Sequence, residues 1–264
     1  MERTANVTKL DPAGSGYTSA EWQARVDLAA AHRLADQRGY SEGIFNHFTL
    51  VAPGRTDRFL VMPFGLHWSE VNASMFLEVD FDGQVRRGSG EVERSAYCIH
   101  APIHRIGPDT ACVLHTHMPF ASAFTRLDNA RLQPTGQTEA SLAAMAAYDD
   151  TYNGLAFDPT EGERLARVMG DKKILFMAHH GVVVVGRTVA EAFDRLYYLE
   201  RACQVQLYAM WTGKPLKLMP EAIVQHTFKQ FETAPKYDGG RLPCDIHFDA
   251  LKRTLDRSDA SYKS

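Results

Sequence analysis

The sequence predicts an α/β chain: one domain built around a central sheet that is largely antiparallel or mixed. Three observations carry this. β-Rich runs and helical patterns are intermixed along the chain, no segment repeats another, and no low-complexity linker divides it. The 264 residues fit a single large domain and suffice for a substantial core. Residues 1–17, with Gly, Ser and Pro and little periodicity, are expected to form a flexible N-terminal segment. The domain would then span 18–264, with a C-terminal extension from about 213.

The elements follow in order. Thr18 and Glu21 have capping-box spacing, and Val26, Ala29, Ala30 and Leu34 continue a helical stripe that stops near Gly39. From 44 to 62 the pattern is strand-like: "IFNHFTLV", a "PGRTD" turn, then "RFLVM". "FLEVDFDGQV" (76–85) reads as a hairpin with Asp82-Gly83 at its tip. Tyr97, Ile99, His100, Ile103 and Ile106 give a helix over 94–106, ending before Gly107-Pro108. "ACVLHTH" is a short buried strand, and the Ala- and Met-rich stretch Ala140–Tyr148 is expected to be helical. Thr160 and Glu163 open a helix to Gly170, and two β-rich runs, "KILFM" and "VVVV", flank His179-His180-Gly181. Thr188 and Glu191 open the longest helix, to about Thr212, with Ala192, Leu196, Leu199, Cys203, Leu207 and Met210 on one face. A short helix near 246–256 closes the chain.

Bulk composition excludes several function classes. Hydrophobic content is 45%, charged content 23% and net charge −3, so a basic nucleic-acid-binding surface is not expected. No apolar run of about 18 residues predicts a membrane span. The polar start "MERTANVTKLDPAGSGYTSAEW" is not a secretory signal. Cys98, Cys112, Cys203 and Cys244 lack metal-type spacing and read as reduced thiols of a cytoplasmic protein.

The chemistry sits in "CVLHTHMPFA" (112–121) and "ILFMAHHGVVVVG" (174–186). Side chains at i and i+2 of a strand share a face, so His115 and His117 project together. A divalent cation takes neutral imidazole nitrogens at about 2.0–2.1 Å, often three in a catalytic site. His180, where a β-rich run breaks at Gly181, is the candidate third ligand. Spacing alone leaves two readings open, a metal site or strand ends that happen to carry imidazoles.

"SAYCIHAPIHRIGPDTACVLHTH" (95–117) together with "AHHGVVVVG" (178–186) resembles the class II aldolase/adducin family. "GIFNHFTLVAPGRTDRFLVMPFGLHWSEVNASMFLEVDFDGQV" (43–85) resembles its N-terminal half, especially the adducin-like branch, and "TVAEAFDRLYYLERACQVQL" (188–207) its last helix. The resemblance implies a single α/β/α domain with a mostly antiparallel sheet and a homotetramer. It also implies a divalent metal held by His115, His117 and His180, with His179 a neighbour, acting as a Lewis acid on a carbonyl or hydroxyl oxygen. Adducins keep the fold without the metal histidines, whereas this chain keeps all three.

Departures from the pattern shape the expected substrate. The acid/base glutamate of the sugar-phosphate aldolases falls, counted without a gap, on Ala96. Ser95 matches one phosphate-binding serine, and Arg94 replaces the other. Glu93 enters the site only if the loop is shifted; otherwise Glu93 and Glu91 are solvated carboxylates. Asn46 and Gly65 match the phosphate cradle, but Phe64 stands where a threonine is usual, which favours an apolar or aromatic acid over a phosphate dianion. His47 and His67 could bind a carboxylate or donate a proton, and Tyr152 or Tyr148 could supply a phenol near a neighbouring site. His100 reads as a core or supporting residue, and Arg126 as a candidate carboxylate clamp.

The expectation is a metal-dependent carbon–carbon lyase, an aldolase or decarboxylase, for a small non-phosphorylated hydroxy, oxo or aromatic acid. Glu93, Tyr152 or His47 would move the proton; Asn46, Gly65 and Ser95 would hold the substrate. Zn is the first choice of metal, with Mn, Fe(II) or Co as alternatives. The rival readings are a non-haem iron oxygenase of an aryl oxo acid and a non-catalytic adducin-like interaction module.

Overall fold

Helix α1 (Ser19–Asp36) starts where expected: the Thr18 side chain accepts from the Glu21 N–H, and the Glu21 carboxylate accepts from the Thr18 N–H. The computed structural model describes residues 16–233 and 236–264, so residues 1–15 of the expected flexible segment lie outside the described residues. Tyr17, its last residue, is packed. It is 8% exposed, stacks on Trp22, and lies under the guanidinium groups of Arg25 and Arg87.

Eight strands form one sheet. They are β1 (His47–Val51), β2 (Arg58–Val61), β3 (Leu77–Asp80), β4 (Val85–Arg87), β5 (Cys112–Thr116), β6 (Ala146–Asp149), β7 (Ile174–Met177) and β8 (Val182–Gly186). The order is β4-β3-β2-β1-β5-β8-β7-β6, antiparallel at every pairing except β6 with β7. Helices cover both faces, giving three layers. On one face Phe48, Leu50, Leu114, Phe176 and Val184 pack with Leu28 and Leu34 of α1 and with Phe193, Leu196 and Leu199 of the long helix Val189–Trp211. On the other, Val113, Leu175, Val183 and Val185 pack with Ile99, Ile103, Leu165 and Met169 of two helices, Arg94–His104 and Pro159–Met169. The period of two in the strands separates these two sets.

The helices after α1 are α2 (Arg94–His104), α3 (Pro119–Phe124), α4 (Gln137–Ala144) and α5 (Pro159–Met169) between the strands, and α6 (Val189–Trp211), α7 (Glu221–Glu232) and α8 (Pro243–Ser258) after the last strand. Four details differ from the sequence reading. The expected helix Ala140–Tyr148 stops at Ala144, and 146–149 form β6 in parallel register with β7. Tyr148 there stacks on Phe176, and its hydroxyl accepts from the Leu132 N–H, so edge pairing overrides the helical preference of the alanines. α5 is capped by Asp158, two residues before Thr160. The apolar stripe of α6 is buried through Cys203, but Met210 is exposed. α7 has no counterpart in the sequence reading, and it packs against α4. No helix among the described residues is long and apolar enough to cross a membrane.

Candidate metal centre

The register of β1 against β5 pairs His47 with His115. His115 lies near the end of the wholly buried strand β5, and His117 follows just beyond it. His180 comes from the tight turn between β7 and β8, closed by Met177 N–H to Gly181 O at 2.9 Å and His180 N–H to Met177 O at 3.1 Å. The turn places His179 in the left-handed region, at φ 57°. Gly181 is required by space: a Cβ there would lie 2.5 Å from the Thr116 carbonyl oxygen and 2.6 Å from the His117 ring. The turn thus lies directly on the end of β5, and the three rings meet.

Ring centroids are 5.0 Å apart for His115 and His117, 4.7 Å for His115 and His180, and 4.9 Å for His117 and His180. One ligand-capable atom from each lies within 4.8 Å of the others. The second nitrogens of His115 and His117 are already engaged. His115 Nδ1 donates to the Val182 carbonyl at 3.0 Å, leaving Nε2 as its lone-pair nitrogen. His117 Nδ1 contacts the Glu42 carboxylate, and its buried Nε2 has no hydrogen-bond partner. Burial, reinforced by the neighbouring imidazoles, pushes His115 well below its ordinary pKa and His180 to about 4. At His117 burial also outweighs the upward pull of Glu42. Three neutral imidazoles, each turned by its outer nitrogen or its backbone, and one buried lone pair without a donor fit a divalent cation.

The surroundings sort the remaining candidates. Asn46, held at φ 73°, accepts at Oδ1 from the His117 N–H at 3.2 Å, so it braces the histidine pair. Arg126 Nη1 donates to the carbonyls of Ser122 at 2.7 Å and His180 at 3.2 Å; it supports the turn backbone, which differs from the expected carboxylate clamp. Glu93 is no free loop carboxylate. It is the N-cap of α2, accepting from the Ala96 N–H at 2.9 Å and from the Ser95 hydroxyl, with Oε2 3.5 Å from His47 Nε2. Burial raises its pKa, but the hydrogen bonds from His47 and Ser95 and the charge at His47 outweigh that and hold it at about 2. Ala96, where the resemblance would put a glutamate, is buried in a cluster with Phe59, Leu77 and Val79.

Two candidates stand apart. Tyr152 is exposed on the loop after β6, its ring edge-on to His179 at 6.1 Å. His67 caps a 3-10 turn, with Nδ1 2.7 Å from Ser69 Oγ, and lies on the surface. Gly65 follows Phe64, whose ring lies tilted 6.1 Å from that of Phe45, the residue before Asn46; both rings are exposed. Glu42 was missed by the sequence reading. It sits in an unpatterned turn, and only the fold brings it to a histidine 75 positions away.

The model of the family described as "Class II Aldolase and Adducin N-terminal domain" matches residues 26–207. A Caulobacter vibrioides protein, provisionally named an aldolase class 2 protein, is 33% identical over 93% of both chains. Rat alpha-adducin is 36% identical over 72% of this chain and 26% of its own length. The solved structure of an aldolase II superfamily protein from Pseudomonas syringae superposes with a TM-score of 0.84 at 32% identity, over 94% of this chain and 98% of that one.

Proposed function

Since the chain belongs to the class II aldolase and adducin family, we propose that it is a divalent-metal-dependent lyase of carbon–carbon bonds acting on a small non-phosphorylated hydroxy, oxo or aromatic acid. One observation carries this: three neutral imidazoles, His115, His117 and His180, converge around the buried, unpartnered Nε2 of His117. The bound ion would act as a Lewis acid toward a substrate oxygen. Imidazole donors favour Zn, with Fe(II) and Co next, and a carboxylate such as Glu42 close by admits Mn.

The chain's own groups do the rest. His47 is the proton carrier: it is buried beside His115, with Nε2 directed at Ser95 and Glu93. Glu93, ionised down to a pH of about 2, cannot deliver a proton at neutral pH; it holds His47 in place. Ser95 is occupied by these two groups, so it does not stand ready for a phosphate. Phe45 and Phe64 line the approach beside Asn46 and favour a flat apolar acid over a dianion. Tyr152, exposed with its ring beside His179, would serve a neighbouring subunit's substrate in this reading.

The test is a panel of 2-oxo, 2-hydroxy and aromatic dicarboxylic acids given to the metal-loaded protein with and without oxygen. Release of aldehyde or carbon dioxide without oxygen supports the lyase; turnover only with oxygen uptake transfers the site to the iron oxygenase reading. A second reading, an adducin-like interaction module, draws on the adducin similarity and on Ala96 in place of the family acid. It gains if no acid is turned over by protein that has bound metal.

A further inference from the structure

Behind the histidine cluster, between the sheet and α2, runs a second line of polar side chains: His47, His100, Thr49 and His104. His47, His100, Thr49 and His104 are all buried, and three imidazoles and a hydroxyl fill this line where apolar side chains would cost less to bury. Its hydrogen atoms can be assigned from its far end.

His104 Nδ1 lies 2.7 Å from the carbonyl oxygen of Thr110, which can only accept. His104 Nδ1 therefore carries a proton. Burial, opposed only by that hydrogen bond, holds His104 at about 4, so the ring is neutral and its Nε2 is bare. Thr49 Oγ1, 2.8 Å away, must donate its single hydrogen to that nitrogen. The other acceptor in reach, the Val113 carbonyl, is at 3.4 Å, and donation there would set two lone pairs against each other. Thr49 Oγ1 then accepts from His100 Nδ1 at 2.7 Å. Burial pushes His100 well below its ordinary pKa, so His100 Nε2 is bare as well. His47 Nδ1, at 2.9 Å, must donate to it.

We infer that Thr49, His100 and His104 are positioning residues that keep a hydrogen on His47 Nδ1 and leave Nε2 as the nitrogen that His47 turns toward Ser95 and Glu93. Nε2 is the atom facing Ser95 Oγ at 3.1 Å and Glu93 at 3.5 Å. Reversing the line would turn a bare His104 nitrogen toward the Thr110 carbonyl inside the core, an uncompensated buried polar pair. The backbone of one loop thus sets the tautomer of a histidine three hydrogen bonds beyond His104. The catalytic meaning of this rests on the lyase reading; the tautomer does not.

Two-bond 1H–15N correlation spectra of the intact protein at pH 8, with and without added Zn, test it without any substrate. The expected result is protonated Nδ1 on His104, His100 and His47, whether or not His47 Nε2 also carries hydrogen. In Thr49→Val the link is cut, and His47 should become a mixture containing the tautomer with hydrogen on Nε2 alone. Thr49→Ser should restore the wild-type pattern. A wild-type His47 with hydrogen on Nε2 alone, or a Thr49→Val spectrum in which His47 is unchanged, overturns the inference. Should Thr49→Val fail to fold, the wild-type assignment decides by itself. Correct tautomers in a protein inactive on every acid would count against the lyase and leave the ordered line intact.

Discussion

A methyl group at residue 181 would press on the Thr116 carbonyl and on the His117 ring together, at 2.5 and 2.6 Å. Gly181→Ala is therefore expected to cost about 1–3 kcal/mol, since neither neighbour is the loose end of a flexible chain. It should also weaken metal binding, because relieving the contact moves His117 or His180; denaturant titration and metal titration read the two effects. Glu42→Gln is the contrasting variant. Glu42 is exposed, so folding stability should stay within about 0.5 kcal/mol. Removing the charge that orients His117 should lower metal affinity by about 10- to 100-fold, and an unchanged affinity would deny Glu42 that role. At this scale the sequence was partly legible. Strand spacing at His115 and His117 and the glycine after His180 raise a metal site as one of two readings, and the family resemblance supplies the three-histidine set. Glu42, and the engagement of Glu93 with His47, depend on register between segments dozens of residues apart, which local pattern does not encode.

α1 and α2 each press a histidine into the sheet. His32 donates from Nδ1 to Leu28 O at 2.8 Å, His104 to Thr110 O at 2.7 Å, and burial, partly opposed by those bonds, holds each at about 4. The unfolded chain takes up these protons near pH 6.5, the folded chain only near 4. Each depressed pKa therefore contributes stability that is complete above 6.5 and is lost as pH falls toward 4. The loss is on the order of 3 kcal/mol per histidine at the acid end. Chemical denaturation at a series of pH values should show this fall, reduced in a His32→Phe variant; a flat profile would contradict it. α2 and α5 also show what local pattern leaves out about packing between elements. Their crossing requires Gly162, whose Cβ would lie 1.8 Å from the Cys98 carbonyl oxygen, yet no periodicity marks that glycine. Capping and apolar spacing located α1, α2 and α6. β6 was hidden in an alanine-rich stretch because its pairing partner, β7, lies beyond α5.

For the molecule as a whole, alternating strand and helix signals and the order of motifs identified the α/β class and the mostly antiparallel sheet. The expectation of a homotetramer comes only from the family resemblance. The C-terminal end of α6 leaves Val205, Tyr208, Met210 and Trp211 exposed, the last at 84%, and α7 adds Ile223 and Phe231. Apolar surface of this kind is costly to leave in water. Light scattering coupled to size exclusion should find a homotetramer, and Trp211→Glu should shift the mass downward; a monomeric wild type would contradict this. The proposal that this fold carries out metal chemistry stands or falls on occupancy. Chelator-stripped protein should be offered Zn, Mn, Co or, without oxygen, Fe(II), and the metal counted per chain by mass spectrometry. The same count should follow for His115→Ala, His117→Ala and His180→Ala. One ion per wild-type chain, lost in each variant while circular dichroism is unchanged, is the predicted result. A wild type that retains none of the four metals, or variants that load as fully as the wild type, would contradict it.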